Sequence, residues 1–284
     1  MSPRPPVIVI GMHRSGTSVV FRVLERLGVF AGWRLEENYE SRFFQRLNRW
    51  IMDQAGSRWD YPESIQELLS SPEARAMILD RLENSLSGVE SMEYLGIRKW
   101  LRFRSPCHIP DQWGWKDPRN TFTLPFWLEM FPQARCIDVC RHGVDVAASL
   151  RARSAKDIER QRAASNSLAR RGLASWLSGD SVGLARCRTL EGGFSLWLSY
   201  MNEAHRHATA LQDRYCKVSY EVLLGNPEST LSEISRFCQL EATDESIAGA
   251  AALIRPSRRY AYRQSEELEA FAARQASDLA KFGY

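Results

Sequence analysis

With 284 residues, 44% of them hydrophobic and 11% aromatic, the chain can bury a large core, which excludes a disordered or low-complexity protein. Its net charge of +4 is too mild to demand nucleic acid as a partner, although an anionic ligand would be welcome. Six cysteines without a CxxC pair and five scattered histidines exclude a disulfide framework and give no metal-ligand spacing, so the thiols read as reduced and no metal is implied. Only Met1 to Pro6 precede the first strand candidate and no apolar run reaches spanning length, so the expectation is a soluble, cytoplasmic protein without an integral membrane segment.

Val7 to Ile10 are four consecutive β-formers and read as a strand buried on both faces, ended by Gly11 where the backbone must turn. From Ser18 onward Val19, Val20, Val23, Leu24 and Leu27 recur at helical spacing, and Gly28 stands where a helix terminator belongs. A strand, a glycine-bounded loop and a helix aim several backbone N–H groups and the positive end of a helix dipole at one point, which suits an oxyanion. Gly11 and Gly16 stand five apart and Thr17 and Ser18 follow, so the loop matches the phosphate-loop pattern G-x-x-x-x-G-K-S/T except that Thr17 replaces the lysine. That lysine bridges the β- and γ-phosphates in nucleotide triphosphatases, and its loss counts against ATP or GTP hydrolysis and ordinary kinase chemistry. The cation here is Arg14, whose planar guanidinium can grip two oxygens of a phosphate or sulfate; a glycine turn with an exposed arginine is the plain alternative.

HRSGTS after a hydrophobic strand resembles the 5′-phosphosulfate loop of sulfotransferases that use 3′-phosphoadenosine 5′-phosphosulfate (PAPS), in the arginine-containing version of bacterial and Golgi-type members. The resemblance implies an α/β fold in which a three-layer parallel sheet of about five strands is flanked by helices, like that of P-loop nucleoside-triphosphate hydrolases. A single domain over residues 1–284 is expected. It also implies that Arg14, Ser15, Gly16, Thr17 and Ser18 contact the phosphosulfate of PAPS, the co-substrate, whose product is 3′-phosphoadenosine 5′-phosphate (PAP).

Trp33 to Ser41 is polar and turn-like, and a helix follows from about Phe43 to Ala55. Bacterial members that the chain resembles carry a glutamate about eight residues before a Leu-Asn pair, which Glu40 before Leu47 and Asn48 fits, although their Asn-x-x-Gly-Tyr segment is shortened here. A hydroxyl that attacks sulfur must lose its proton, and a carboxylate within reach can accept it. Glu40 is the first candidate for that base, with Glu36 and Glu37 as rivals; a carboxylate favoured at a helix entry by the dipole is the other reading. Trp59 and Tyr61 can stack on an acceptor ring or fill a core, and a soluble amphipathic helix is expected over about Pro72 to Leu86, followed by a basic segment Arg98 to Arg104.

Trp113 to Lys116 suggests a short buried strand stopped by Asp117 and Pro118, which places Lys116 at the ligand crevice of an open α/β sheet. KDPR resembles a frequent bacterial form in which the strand-end lysine contacts the transferring sulfonate, so Lys116 is expected to be catalytic; pairing with Asp117 or another carboxylate is the alternative. A helix over Thr121 to Phe131, capped by Thr121, precedes a second buried strand, Ala134 to Cys140. Arg141 with Ser149 then resembles the family's 3′-phosphate motif R-x-x-x-D-x-x-x-S-L, with Asp145 and Ser149 one helical turn apart. Residues from 151 to about 193 are basic and weakly periodic, a lid or acceptor-binding insertion on one reading and a solvated helical face on the other. A strong helix over Phe194 to Leu211 and a strand at Tyr215 to Val218 lead into YEVLLGNP, which resembles the YE-x-LL-x-x-P segment of sulfotransferases. Arg258 and Arg259 match a carboxyl-terminal basic segment that approaches the cofactor in relatives, and a last helix is expected from about Ser265 to Lys281.

The function expected is transfer of a sulfonate from PAPS to a hydroxyl acceptor, a saccharide or glycolipid, without a metal. A magnesium-dependent phosphotransferase of the same fold and a non-catalytic nucleotide or glycan binder are the rivals.

Overall fold

The structure, a computed structural model, describes residues 4–165, 185–255 and 259–284, so Arg258 and the middle of the 151–193 segment lie outside the described residues. The chain divides into two compact units, Met1–Arg141 with Tyr200–Arg259, and His142–Ser199 with Tyr260–Tyr284.

The first unit holds a parallel sheet of four strands, β1 (Val7–Ile10), β2 (Gly114–Lys116), β3 (Arg135–Cys140) and β4 (Tyr215–Ser219), in the order β2-β1-β3-β4. All strand pairs are parallel, with Val9 opposite Lys116 on one side and Ile137 on the other. Strands covered on both faces need apolar residues throughout, which is why β1 is a run of Val and Ile with no exposed atom surface. Four strands form among the described residues where about five are expected. Beyond β2, Phe30 makes a single parallel bridge to Trp113, because Gly28 and Gly32, at φ 101° and 119°, turn the chain on either side of it. The Tyr94 hydroxyl spans this edge, 2.8 Å from both the Phe30 and Gly114 carbonyls.

Helix α1 (Thr17–Arg26) follows β1 and ends where expected: the N–H of Gly28 meets the Glu25 carbonyl at 3.0 Å and that of Val29 the Leu24 carbonyl at 3.0 Å. These two bonds satisfy carbonyls that a helix end otherwise leaves bare. α1, β1, β3 and the helices after β4 bury Val7, Val9, Val20, Val23, Leu24, Val139, Leu223 and Ile234 in one core cluster. Another group of packed rings is aromatic: Phe44 of α2 (Arg42–Gln54) stacks on Trp115 with ring centroids 3.9 Å apart and 5° between planes, and Trp127 meets both edge-on. The helices Ile65–Ser70 (α3), Pro72–Ser87 (α4), Met92–Phe103 (α5) and Asn120–Met130 (α6) complete the amino-terminal part. α5 escapes the periodicity because Gly96, at φ 71°, breaks it in the middle. α6 starts one residue earlier than expected, with Arg119 at its N-cap and no side chain capping its first turn. The Thr121 hydroxyl is used elsewhere, in the loop after β1.

In the second unit α7 (Gly143–Ser165) extends the helix expected after Arg141 to residue 165. Through residue 160 this is a solvated helical face, with Asp157 within 3.6 Å of Arg153 and 3.5 Å of Arg160. The last helix divides into Glu266–Arg274 and Ala276–Ala280 at Gln275. No described helix is long and apolar enough to cross a membrane.

Candidate active site

The loop after β1 is assembled from backbone that few residues tolerate. Gly11, at φ 129°, donates its N–H to the Thr121 hydroxyl at 3.1 Å, fixing the loop's start to α6. Arg14 is held at φ 71°, a left-handed conformation that costs a side-chain-bearing residue about 1–3 kcal/mol and is found where function requires the geometry. Gly16, at φ 101°, is the N-cap of α1, and no side chain caps the N–H groups of the helix's first turn. Ser15 is buried, and its Oγ has no hydrogen-bond partner among the described residues. A buried hydroxyl left so costs about 1–3 kcal/mol, which a bound oxyanion would offset. The loop therefore fits the phosphosulfate group that the sequence implies. Ser18 donates its hydroxyl to the Asn38 carbonyl at 2.9 Å and ties the loop to the 33–41 segment.

The Thr121 turn rests in turn on His207, whose Nε2–H donates to the Thr121 carbonyl at 2.7 Å. Burial holds this imidazole below the ordinary range, and the positive charge of Arg206 acts the same way. The folded chain thus binds the proton less readily than the unfolded chain. The stability that the neutral ring contributes is present above the ordinary imidazole value of about 6.5 and is lost as pH falls through the depressed one. Thermal scans are expected to show Tm dropping below about pH 6, and His207→Gln, which keeps a donor for Thr121, should shrink that drop.

Two further groups close on the loop. The ring of Tyr220, at the start of the helix Tyr220–Gly225, lies against Gly16 so closely that a Cβ there would overlap it. Arg141, buried at the end of β3, sets its guanidinium 5.1 Å from the Tyr220 ring centroid and donates to the Arg14 carbonyl at 3.3 Å. YE-x-LL-x-x-P thus has a physical purpose here: its tyrosine is the floor between the phosphate loop and the strand-end arginine. Sequence reasoning missed that contact.

Lys116 closes β2, opposite Val9, and is buried. Its Nζ donates to Glu40 Oε1 at 2.7 Å, and the other oxygen, Oε2, accepts from Gln45 Nε2 at 2.6 Å. The carboxylate and the ammonium singled out independently in the sequence are thus one buried pair. Glu36 and Glu37 are not brought there: Glu36 pairs with Arg42 at the surface, and Glu37 is exposed. Asp117 does not hold Lys116. It accepts from the Arg119 N–H at 2.9 Å and from Asn48 Nδ2 at 3.0 Å, and burial pushes its carboxyl up while Arg119 opposes the shift.

Asn48 is the hub that fixes this corner. Its Nδ2 also donates to Asn120 Oδ1 at 2.7 Å, and its Oδ1 accepts from the Thr123 hydroxyl at 2.7 Å and Trp127 Nε1 at 2.8 Å. Asn120 in turn donates to the Val9 carbonyl at 3.1 Å and accepts from Trp115 Nε1 at 3.0 Å. Asn48→Leu would leave the Trp127 Nε1 donor and the Asp117 Oδ2 acceptor without their partner, while the Thr123 hydroxyl keeps the Arg119 carbonyl at 3.3 Å; each unmet buried group costs about 1–3 kcal/mol, so a loss of roughly 3 kcal/mol is expected in denaturant unfolding. Trp59 borders the loop as well, its ring edge-on to His13 with centroids 4.5 Å apart, while Tyr61 is exposed. Arg259 is exposed and lies against Gly225, at the end of the Tyr220 helix.

In the second unit Ser149 lies half-buried on α7. Asp145, one turn earlier, accepts from the backbone N–H of Ala261 at 3.2 Å and of Tyr262 at 2.7 Å, and the Tyr262 ring stacks on His142 with centroids 4.2 Å apart. The acidic residue of the R-x-x-x-D-x-x-x-S motif is therefore a clamp on the carboxyl-terminal segment. No sequence signal marks it, since its partners are backbone amides. Asp145→Ala is expected to raise amide hydrogen exchange over residues 260–264 well before it changes global stability.

Comparison with known proteins gives the family and the fold. A sulfotransferase-family model matches residues 5–245. Among solved structures, the sulfotransferase domain of the curacin biosynthetic pathway is 15% identical, with a TM-score of 0.51 over 97% of this chain and 99% of that domain. The sulfotransferase domain of the Synechococcus PCC 7002 olefin synthase is 17% identical, with a TM-score of 0.48 over 91% of this chain and 86% of the other. A mouse sulfotransferase solved with PAP is 15% identical, with a TM-score of 0.45 over 91% and 68%. No curated protein sequence matches. The parallel sheet flanked by helices is the P-loop-like fold of sulfotransferases. With the matched region spanning most of its length, the chain belongs to the PAPS-dependent sulfotransferase family.

Proposed function

We propose that this chain transfers the sulfonate of PAPS to a hydroxyl group of a saccharide or glycolipid. The observation that carries the reading is the buried Lys116–Glu40 pair at the end of β2, beside the strand that feeds the phosphate loop. PAPS supplies an activated sulfonate and departs as PAP. Ser15 Oγ, the uncapped first turn of α1 at Gly16, Thr17 and Ser18, and the Arg14 guanidinium are the donors for its phosphosulfate. Glu40 receives the proton of the acceptor hydroxyl, and the Lys116 ammonium is held where negative charge grows on the departing phosphate. Arg141 is assigned to the 3′-phosphate, with Arg259 and Arg258 as further cations. A saccharide is supported by the Trp59 ring beside His13 of the loop, since aromatic faces pack against the C–H faces of sugars.

Calorimetric titration with PAP, and separately with ATP and magnesium, tests the co-substrate. PAP is expected to bind without magnesium, and Arg141→Ala to weaken it at least about tenfold, or 1.4 kcal/mol. Binding of ATP with magnesium and none of PAP would overturn the reading in favour of a phosphotransferase. Ser149→Ala tests on its own the serine that the sequence motif pairs with Arg141. The acceptor is sought by transfer of labelled sulfonate to a panel of glycans and glycolipids.

A further inference from the structure

The basic segment Arg98 to Arg104 has no part in the chemistry above, and its surroundings are unusual. On α5, Ile97 and Leu101 stand four residues apart, on one face of the helix, 62% and 57% exposed. Trp33, also 62% exposed, is set beside them by two constraints. Its backbone N–H donates to the Tyr94 carbonyl at 2.6 Å, and one side of its ring rests on Gly96, where a Cβ would come within 2.8 Å of it. Gly96, at φ 71°, thus gives Trp33 a seat that no side-chain-bearing residue could provide, and the ring remains largely exposed.

The unpaired charges that α5 carries beside this apolar patch have one sign. Arg34, Arg98, Arg102 and Arg104 are exposed, and among the described residues none of them is matched by a carboxylate. The nearby acids are already engaged, Glu90 by Arg81 and Arg46, and Glu93 by Arg46. Lys99 is held by Asp111. The Arg104 guanidinium lies 4.5 Å from the Trp100 ring centroid and that of Arg102 5.0 Å from Phe103, so the arginines frame a surface that is aromatic as well as aliphatic. An exposed tryptophan and two aliphatic side chains ringed by uncompensated arginines have the chemistry of a helix that lies in a membrane interface. Anionic headgroups answer the arginines, and the acyl boundary receives Trp33, Ile97 and Leu101.

We propose that this face of the first unit, Trp33 with α5, docks the protein peripherally on an anionic lipid surface. The site does not rest on the acceptor assigned above. It would bring the 33–41 segment, which ends on Glu40, to a membrane, where a lipid-linked hydroxyl compound would be met.

Vesicle co-sedimentation without PAPS or acceptor tests it, using phosphatidylcholine vesicles with and without about 30% phosphatidylserine. The protein is expected to bind only the anionic vesicles, and to be released as salt rises from about 0.1 M to about 0.5 M. Arg98→Gln with Arg102→Gln should weaken binding by roughly thirtyfold, about fivefold for each arginine near the surface. Ile97→Ser with Leu101→Ser should also weaken it at least about tenfold. All four positions are exposed, and unchanged melting of the variants shows that they fold. Equal binding to neutral vesicles, no binding to either, or wild-type binding by both variants overturns the proposal. So does a change of oligomeric state in light scattering with vesicle binding unaltered, which would assign the patch to a second copy of the chain.

Discussion

Glu40→Gln is expected to lower kcat by about 10²- to 10⁴-fold while PAP still binds, the range typical for loss of a positioned general base. The substitution keeps a carbonyl oxygen facing Lys116 Nζ, so the hydrogen bond now measured at 2.7 Å has a successor, but the negative charge is gone. An ammonium buried at 2% side-chain exposure then lacks its counter-charge. Removing one partner of such a pair commonly costs about 3–5 kcal/mol, less when the replacement still accepts a hydrogen bond. Lys116→Met makes the complementary error, leaving Glu40 buried with Gln45 as its only side-chain donor among the described residues. The informative variant is the double one, Glu40→Gln with Lys116→Met. Stability should recover relative to either single change, because no unpaired charge remains, whereas turnover should not. Recovery of stability without activity separates a pair that does chemistry from one that only holds the fold. Steady-state kinetics and urea unfolding on the same four proteins decide it; turnover of Glu40→Gln within about threefold of wild type would remove Glu40 from the mechanism. Glu36→Gln and Glu37→Gln, at surface positions away from Lys116, are expected to stay within about twofold.

The parts legible in the sequence are those whose cause is local. VIVI can only be an inner strand, and Gly28 after a periodic run can only be a left-handed helix end, so β1 and α1 stand within a residue of their expected places. Strand-end geometry in a parallel sheet placed Lys116 at the ligand crevice, whereas its role and the choice of Arg141 came from the resemblance of KDPR and R-x-x-x-D-x-x-x-S-L to the family's motifs. The contacts that give the site its shape are not local. Tyr220 reaches Gly16 across 204 positions and Asn48 reaches Asp117 across 69, and neither residue type announces such a partner. Glu40 and Lys116 could be named apart but not joined, since the 33–41 segment has no periodicity from which to place it. α5 was hidden for a physical reason of another kind: Gly96 interrupts its period, and the two large side chains it exposes, Ile97 and Leu101, blur the amphipathic pattern by which a helix is recognised.

Gly16→Ala should abolish measurable PAP binding and destabilise the fold, and a second glycine of the same backbone conformation shows how much of this is steric. Gly28 and Gly16 both sit at φ 101°. A methyl group added at Gly28 meets nothing within 4 Å among the described residues, so Gly28→Ala carries only the cost of a left-handed alanine, about 1–2 kcal/mol. At Gly16 the same methyl group falls inside the Tyr220 ring. That ring cannot retreat cheaply, since it is buried and carries the Arg141 guanidinium 5.1 Å from its centroid. Relief must come from the loop, which shifts the N–H groups at the start of α1 or breaks the bond from Arg141 to the Arg14 carbonyl. Either movement displaces the donors proposed above for the phosphosulfate, so the binding loss should exceed about a hundredfold although no donor has been deleted. Tyr220→Leu in the Gly16→Ala background makes room for the methyl group. It should restore part of the stability, while PAP affinity stays low because Arg141 has lost the face it rests on. If Gly16→Ala behaved like Gly28→Ala in both melting and PAP titration, the tyrosine would not be the floor of the site.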